Sequence, residues 1–358
     1  MIEDKLKAIF EKNYGEGNIT VVKSGKNYKV IVKDTDIRYR VRYNEKVEKY
    51  EEMDPTDVYA RLGDDGTLYL RATQKSGYDI FEQFPYRIYK NYDTSKIKKI
   101  KIEEAISPTD AREMFYNCNK LEKIECIENL HTENTRDMYS MFEGCSSLVN
   151  LDLSKFDTSM VNTMGLMFYR CNKLKLLNIE GFNTSKVTDM HSMFNGCSSL
   201  EDLDLTGFDT TNVTNMFWMF NSCSKIKKLE LKNFNTAKVE SMDSMFDGCT
   251  SVTELDVSNF NTDNVKKMGC MFHNCSKLEY INATKFNTAK ATDIHSMFNG
   301  CSSLKRVDFS ENFIINEGVE IKWIFSGVSN NIKIKAKEDS ANKIISNSSL
   351  TNENFEII

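Results

Sequence analysis

Met190-His-Ser-Met-Phe-Asn-Gly-Cys-Ser-Ser-Leu-Glu-Asp-Leu-Asp-Leu-Thr-Gly-Phe-Asp-Thr-Thr-Asn-Val-Thr214 is one turn of a frame that runs through most of the chain. The dipeptide Met-Phe starts at Met114, Met141, Met167, Met193, Met219, Met245, Met271 and Met297, with a first step of 27 residues and later steps of 26. Three places after each Phe stands a cysteine: Cys118, Cys145, Cys171, Cys197, Cys223, Cys249, Cys275 and Cys301. A ninth unit carries Ile324-Phe325, with Val328 in the cysteine's place. A fixed period of this size marks stacked supersecondary units, none of which can bury its apolar face alone.

Within the unit, Leu200, Leu203 and Leu205 follow an L-x-x-L-x-L spacing, and Leu203-Asp204-Leu205 alternates as a strand with one buried face. Val213, Met216, Met219, Phe220 and Cys223 then fall on one side of a helix, with Thr210, Thr211 or Asn212 available to cap it. The spacing predicts an α/β solenoid: a right-handed leucine-rich repeat of 26-residue strand and short-helix coils, with a parallel strand in every coil from about residue 97 to 335. A small α+β domain precedes it. Stacking would form ladders: phenylalanines at 156, 182, 208, 234, 260 and 286, and threonines at 158, 184, 210, 236, 262 and 288. Core packing and turn satisfaction account for both.

The quoted segment resembles the repeat of the BspA-like leucine-rich repeat surface proteins of bacteria, roughly M-F-x-G-C-S-S-L-x-x-L-D-L-S-x-F-D-T-S-x-V-T-x-M. The resemblance covers residues about 95–335 by repeat phase. Val58-Tyr-Ala-Arg-Leu-Gly-Asp-Asp-Gly-Thr-Leu-Tyr-Leu70 is similar to the segment preceding the repeats in that family. The resemblance implies a non-enzymatic protein, secreted or at the cell surface, used in adhesion and in contact with a host or partner.

The ends follow other rules. Ile2, Leu6, Ala8, Ile9 and Phe10 suggest an amphipathic helix ending near Gly15, and 19–23, 28–33 and 37–43 alternate as strands of a meander. This places a small α+β domain at 1–53, an attachment module or an extra folded cap. Residues 54–110 read as the N-terminal cap of the solenoid, with a hairpin across Gly63-Asp-Asp-Gly66 and an L-x-x-L-x-L echo at Ile97, Ile100 and Ile102. The repeats occupy 111–310. Residues 311–358 form the C-terminal cap, with Ile332–Ile334 as the last edge strand and a helix capped near Asp339.

Composition agrees with two kinds of construction. Residues 1–100 hold 11 of the 15 tyrosines, no cysteine and 2 of the 17 methionines. The whole chain has 358 residues and a net charge of −5, which argues against a nucleic-acid partner. No apolar run is long enough to span a membrane. The opening Met1-Ile2-Glu3-Asp4-Lys5-Leu6-Lys7 lacks the order of a signal peptide, so the alternative is a cytosolic or injected interaction protein, located in the cytoplasm in the first case, whose N-terminal module is the working or assembly part.

Motifs for chemistry are sparse. No C-x-x-C pair, glycine-rich phosphate loop or H-E-x-x-H occurs, so no enzyme activity, cofactor or metal is expected. The ten cysteines are expected to be buried free thiols, with Cys126 in the core strand position of Leu153 and Cys270 at a variable helix position. His191 and His295 share a position expected to be solvated, and no nucleophile, base and acid fall together in the repeat frame. The candidate binding face is the concave strand surface: Asp152, Leu176, Asp204, Lys228, Glu230, Glu254, Asp256, Tyr280, Arg306 and Asp308. Its expected partner is a protein or host-surface ligand. Its carboxylate column (Glu125, Asp152, Asp204, Glu230, Asp256, Asp308) reads either as a solvated face with local hydrogen bonds or as a dock for a basic partner or cation.

Overall fold

In the computed structural model, which describes residues 2–24, 27–33, 38–44, 49–53, 58–72, 79–80 and 87–358, the amphipathic stretch forms helix α1 (Ile2–Tyr14). Glu3 and Asp4 in its first turn suit the positive end of the helix dipole. Its Leu6 and Phe10 pack with Ile19, Tyr28 and Val30 in a small core. Strands β1 (Ile19–Ser24), β2 (Asn27–Val32), β3 (Arg38–Asn44) and β4 (Lys49–Met53) follow as an antiparallel meander in that order. The fourth strand is additional to the three that the alternation predicts. The expected turns at 25–26 and 34–36 and the start of the N-terminal cap at 54–57 lie outside the described residues.

The second sheet turns antiparallel pairing into parallel stacking. β5 (Tyr59–Leu62) and β6 (Thr67–Arg71) pair as a hairpin across Gly63–Gly66, and β7 (Asp79–Ile80) flanks β5. Asp65 secures the turn by accepting from the Thr67 backbone N–H and hydroxyl, each at 2.9 Å. After helix α2 (Ile88–Asn91), β8 (Lys99–Ile102) lies parallel to β6 and β9 (Lys123–Glu125) lies parallel to β8. Leu68 faces Ile100 and Leu70 faces Ile102, so the hairpin covers the open core of the first coil.

The remaining strands are β10 (Asn150–Asp152), β11 (Leu176–Asn178), β12 (Tyr280–Ala283), β13 (Arg306–Phe309), β14 (Lys333–Ala336) and β15 (Phe355–Ile357). β10 pairs with β11 in parallel, Leu151 opposite Leu177, and β12 to β15 form a four-stranded parallel sheet. A strand in every coil is not found. Between residues 201 and 257 no strand forms: an isolated bridge joins Lys228 to Glu254, and another, just ahead of the Met-Phe pairs, joins Asn215 to Ser241. Leu203, Leu229 and Leu255 are still buried there, so the apolar side survives without the ladder. One cause is local: the Leu203 N–H is taken by the Asp202 carboxylate at 2.9 Å, a side-chain competitor for a ladder bond.

The expected short helix is also replaced. From Met138 to Cys145 the N–H groups divide by parity. Those of Met138, Ser140, Phe142 and Gly144 donate to carbonyls of the next coil, at Thr163, Gly165, Met167 and Tyr169. Those of Met141, Glu143 and Cys145 donate three residues back, to Met138, Ser140 and Phe142. An α-helix needs every N–H for bonds four residues back, so the apolar spacing that mimics a helix belongs to tandem turns. Each coil bends at two residues of positive φ, four apart, such as Ser140 and Gly144, Trp218 and Ser222, or Cys270 and Asn274. The second of these positions holds Gly144, Gly196, Gly248 and Gly300 in alternate coils, where a left-handed backbone carries no penalty.

Three side-chain ladders join the coils. Phe115, Phe142, Phe168, Phe194, Phe220, Phe246, Phe272, Phe298 and Phe325 stack with centroid spacings of 4.9 to 5.8 Å. In the threonine column, Thr210 Oγ1 donates to Asn235 O at 2.9 Å and accepts from Asn235 N at 2.7 Å. The cysteine thiols donate to the phenylalanine carbonyl of the previous coil, as Cys197 Sγ does to Phe168 O at 3.2 Å. At the C-terminal end, helix α3 (Glu338–Ile345) packs Ile344 into the core. Its N-cap is Lys337, not Asp339. β15 pairs outside β14, so Ile332–Ile334 is not the edge. Arg306 reaches across β14 to bind Glu356 through both guanidinium nitrogens, at 3.0 and 2.9 Å.

Candidate functional site

Two surfaces carry polar chemistry: the strand face that the sequence singles out, and the face made by the tandem turns. On the strand face the carboxylate column is already engaged. Asp152 accepts from Ser154 N at 3.0 Å, Asp204 from Thr206 N at 2.9 Å and Asp256 from Ser258 N at 3.0 Å. These are Asx turns, and Asn178 and Asn282 make the same bond in their coils. The donated N–H bonds hold Asp152 and Asp204 below the usual carboxylate range, and the Ser258 hydroxyl followed by its N–H does the same for Asp256. Glu230 pairs with Lys228 at 2.6 Å, and Asp308 pairs with Arg306 at 2.7 Å and accepts from the Tyr280 hydroxyl at 2.9 Å.

The neighbouring outward column is less occupied. Leu176 is 67% exposed and Tyr280 45%. A groove of about 730 Å³ runs from Lys123 across Asn150, Asp152, Leu176 and Asn178 to Asp204. A second, of about 530 Å³, includes Glu254, Asp256 and Tyr280. Six of the predicted residues therefore lie in two neighbourhoods along one face, with Lys228, Glu230, Arg306 and Asp308 in neither.

The turn face was expected to be bland. Instead, His191 and His295 are half-buried and held by aspartates two residues earlier. His191 Nδ1 lies 2.8 Å from Asp189 Oδ2, and His295 Nδ1 lies 2.6 Å from Asp293 Oδ1. His273 Nδ1 lies 2.8 Å from Asp247 Oδ1. Cys270 Sγ is 3.3 Å from His295 Nε2, so a thiol, an imidazole and a carboxylate do come together, contrary to the reading of the repeat frame. Their separations, 25 residues between Cys270 and His295 and two between Asp293 and His295, were visible. The missing step was that neighbours across coils are offset by one residue from the 26-residue frame. A groove of about 770 Å³ beside them is lined by Phe217, Asp243, Lys267, Asp293 and His295.

Near the N-terminal end the same face holds a second cluster. The Tyr89 hydroxyl donates to Glu113 Oε2 at 2.5 Å, and Arg87 Nε pairs with Glu113 at 2.9 Å. Burial, reinforced by Glu113, pushes the Tyr89 phenol up to about 12. His191 reaches over Gly165 to the ring of Tyr139, 5.8 Å away.

Cys118, Cys145, Cys171, Cys197, Cys223, Cys249, Cys275 and Cys301 are free and buried. Cys126 and Cys270 are only half-buried, which corrects the expectation of burial throughout. Cys126 has φ 55 and precedes a 3-10 turn at Ile127–Asn129, so it does not take the core place of Leu153. Among the described residues no group of three or more His, Cys, Asp or Glu side chains is arranged to hold a metal ion.

The family described as "Mycoplasma protein of unknown function, DUF285" matches residues 81–203, 109–228 and 199–313, overlapping stretches that together cover more than half of the chain. The chain belongs to this family. No curated protein matches it. Among solved structures it is similar to "The Crystal structure of Pneumococcal vaccine antigen PcpA", at 13% identity over 95% of this chain and 98% of that chain, with a TM-score of 0.24. Among the described residues no helix is long and apolar enough to cross a membrane.

Proposed function

We propose that the chain is a non-enzymatic binding protein, presenting a right-handed leucine-rich repeat solenoid for contact with a protein or host-surface ligand at the cell surface or after secretion. The observation that carries this reading is the contrast between columns. Core phenylalanines and cysteines barely change from coil to coil. The outward column reads Asn150, Leu176, Asp202, Lys228, Glu254, Tyr280 and Arg306, and its Leu176 is exposed within a groove. Packing does not dictate these residues, and the column's Tyr280, 45% exposed, and Arg306 are of the types that carry most of the energy in recognition surfaces. The BspA-like resemblance of the repeat unit supports adhesion as the form of contact.

The test uses the full chain, fluorescently labelled, titrated onto cultured host epithelial cells. Saturable binding that Leu176→Asp and Tyr280→Asp each weaken at least tenfold is expected, because each removes an apolar anchor. Saturable binding that neither variant changes would remove the strand face from the reading. No saturable binding would count against adhesion itself. A triple variant, Asp204→Asn, Glu230→Gln and Asp256→Asn, tests the charge component. It should bind more weakly than the wild type and lose less affinity as salt rises, since the wild type's charge contribution is screened to ~3 Å at 1 M salt.

A further inference from the structure

We propose that Cys270 is a site of covalent modification, with His295 as its general base and Asp293 as the residue that positions the base, and that its co-reactant is a small positively charged disulfide. His295 Nδ1 lies 2.6 Å from Asp293 Oδ1, and in the neutral imidazole with its proton on Nδ1 this leaves Nε2 free to accept. That nitrogen faces Cys270 Sγ at 3.3 Å, within reach of the thiol proton. The backbone is shaped for this contact. A Cβ on Gly269 would stand 2.5 Å from His295 Nδ1, so only glycine leaves room for the imidazole to lie across the preceding coil.

The molecule contains its own control. Asp189 and His191 repeat the Asp293–His295 arrangement, with Gly165 beneath, but Leu166 occupies the place of Cys270. The eight ladder thiols are buried, and seven of them, from Cys145 to Cys301, donate to main-chain carbonyls. Cys126 is half-buried, as Cys270 is, and no hydrogen bond to a histidine is found for it.

The groups around Cys270 are acidic. Burial, and then the carboxylates of Asp247 and Asp243, push the thiol up to about 11, the Ser244 hydroxyl acting against them and Asp293 adding to them. At neutral pH the thiol therefore keeps its proton, and reaction requires that His295 take it. A thiolate released from a thiol of high pKa is the stronger nucleophile once formed. Lys267 lies on the same groove, and Lys266 is paired with Glu240 at 2.8 Å. The surplus of carboxylates favours a cationic co-reactant over an anionic one. In the step, the thiol proton moves to His295 Nε2 as sulfur attacks one sulfur of the disulfide. The old S–S bond breaks and a mixed disulfide forms on Cys270. The departing thiolate takes the proton back from the imidazolium, leaving one free small thiol, so Cys270 is oxidised and one half of the co-reactant is reduced.

The experiment exposes the folded full chain to cystamine, a dicationic disulfide, and to the dianionic dithiodiglycolate, and maps adducts by mass spectrometry over time. The expected result is a single cystamine half on Cys270, formed about tenfold or more faster than on Cys126, and a similar loss of rate in His295→Gln and Asp293→Asn, as befits removal of a general base. Cystamine should outpace dithiodiglycolate, with the ratio shrinking as salt rises. Leu166→Cys should create a second fast site beside His191. Unlabelled ladder cysteines verify that each variant is folded, and if His295→Gln unfolds, the Leu166→Cys result still decides. Equal rates at Cys270 and Cys126, an unchanged rate in folded His295→Gln, or a slow thiol in Leu166→Cys would each overturn the assignment of the base. Faster reaction with the anionic probe would overturn the cationic co-reactant.

Discussion

Replacing Thr210 by valine tests what holds one coil to the next. The two side chains have the same shape, so packing in this fully buried position is retained while the hydroxyl is lost. That hydroxyl makes two bonds to one residue of the next coil, donating to Asn235 O at 2.9 Å and accepting from Asn235 N at 2.7 Å. Both bonds are partly buried. An unpaired buried donor costs about 1–3 kcal/mol and an acceptor, with two lone pairs, less. The expected loss is therefore about 2–4 kcal/mol. Thr210→Ser keeps both bonds and loses one methyl group, a cost of about 1 kcal/mol.

Urea unfolding followed by circular dichroism should place the valine variant below the serine variant in midpoint. Amide exchange gives a more local readout. The Asn235 N–H should lose protection in Thr210→Val and keep it in Thr210→Ser. The Asp209 N–H, which donates to Thr184 Oγ1 at 2.8 Å, should stay protected in both and serves as the internal control. Equal stability of the two variants, with Asn235 still protected in the valine form, would show that the threonine column is ordinary packing and not a hydrogen-bonded seam.

Other consequences are equally direct. Cys145, Cys171, Cys197, Cys223 and Cys249 should resist iodoacetamide in the folded chain and react in urea, because burial raises every one of their pKa values; adducts on native protein would refute this. The Asx-turn carboxylates of Asp152, Asp157, Asp204, Asp209 and Asp256 titrate below the unfolded value of 3.8, so their stabilisation is complete above that pH and is lost as pH falls through the lowered folded values. Asp137, Glu143, Asp243 and Asp247 are raised by burial and act oppositely, gaining stability as pH falls through their folded values. Thermal melts should accordingly hold or improve on mild acidification and then drop below about pH 4, near the ordinary aspartate value; a steady fall beginning at neutral pH would contradict these directions. Arg306→Ala should free the end of the chain at β15, with faster amide exchange at Phe355–Ile357 and little change in the repeats; unchanged exchange would mean that backbone pairing to β14 suffices.

Much of the coil was legible because its period is strict. A column that repeats Phe or Cys at every turn has to be buried in register, and the threonine ladder follows from that alone; the phenylalanines that stack ring on ring are those of the Met-Phe pairs, whereas the expected column from Phe156 to Phe286 is buried. What the periodicity hid was the backbone between columns. Val213, Met216, Met219 and Phe220 have helical spacing, yet the N–H groups alternate between the next coil and the same coil, and no helix forms. The alternation of glycine with Asn117, Arg170, Ser222 and Asn274 was the available sign, since all of these positions have positive φ. The strands from 201 to 257 were overestimated for a different reason. Alternating leucines report burial on one face, which is satisfied there, and say nothing about whether an aspartate such as Asp202 intercepts the main chain. The carboxylate column shows the same limit: local turn bonds, which aspartate and asparagine make equally well, account for Asp152, Asp204 and Asp256, and ion pairs with neighbouring basic residues account for Glu125, Glu230 and Asp308.

The turn ladder also accounts for where reactive groups can meet. Because every second N–H is fixed to the next coil, neighbouring coils are held in one register, with Ser140 N bound to Gly165 O and Cys270 N bound to His295 O at 2.9 and 2.8 Å. The bonded partners are 25 residues apart, one less than the repeat. Side chains at the first left-handed position of one coil are therefore brought beside those two places after the isolated-bridge position of the next, which is Asp189 before His191 and Asp293 before His295. A substitution at either position changes a pair and not a single column. This makes the turn face a place where two-residue chemistry appears without disturbing any core ladder: Leu166 beside His191 gives an inert pair, and Cys270 beside His295 gives a thiol on a base. Single columns, such as the carboxylates of the strand face, offer charge and shape. Paired columns offer proton transfer, and only the offset register of the turns supplies them.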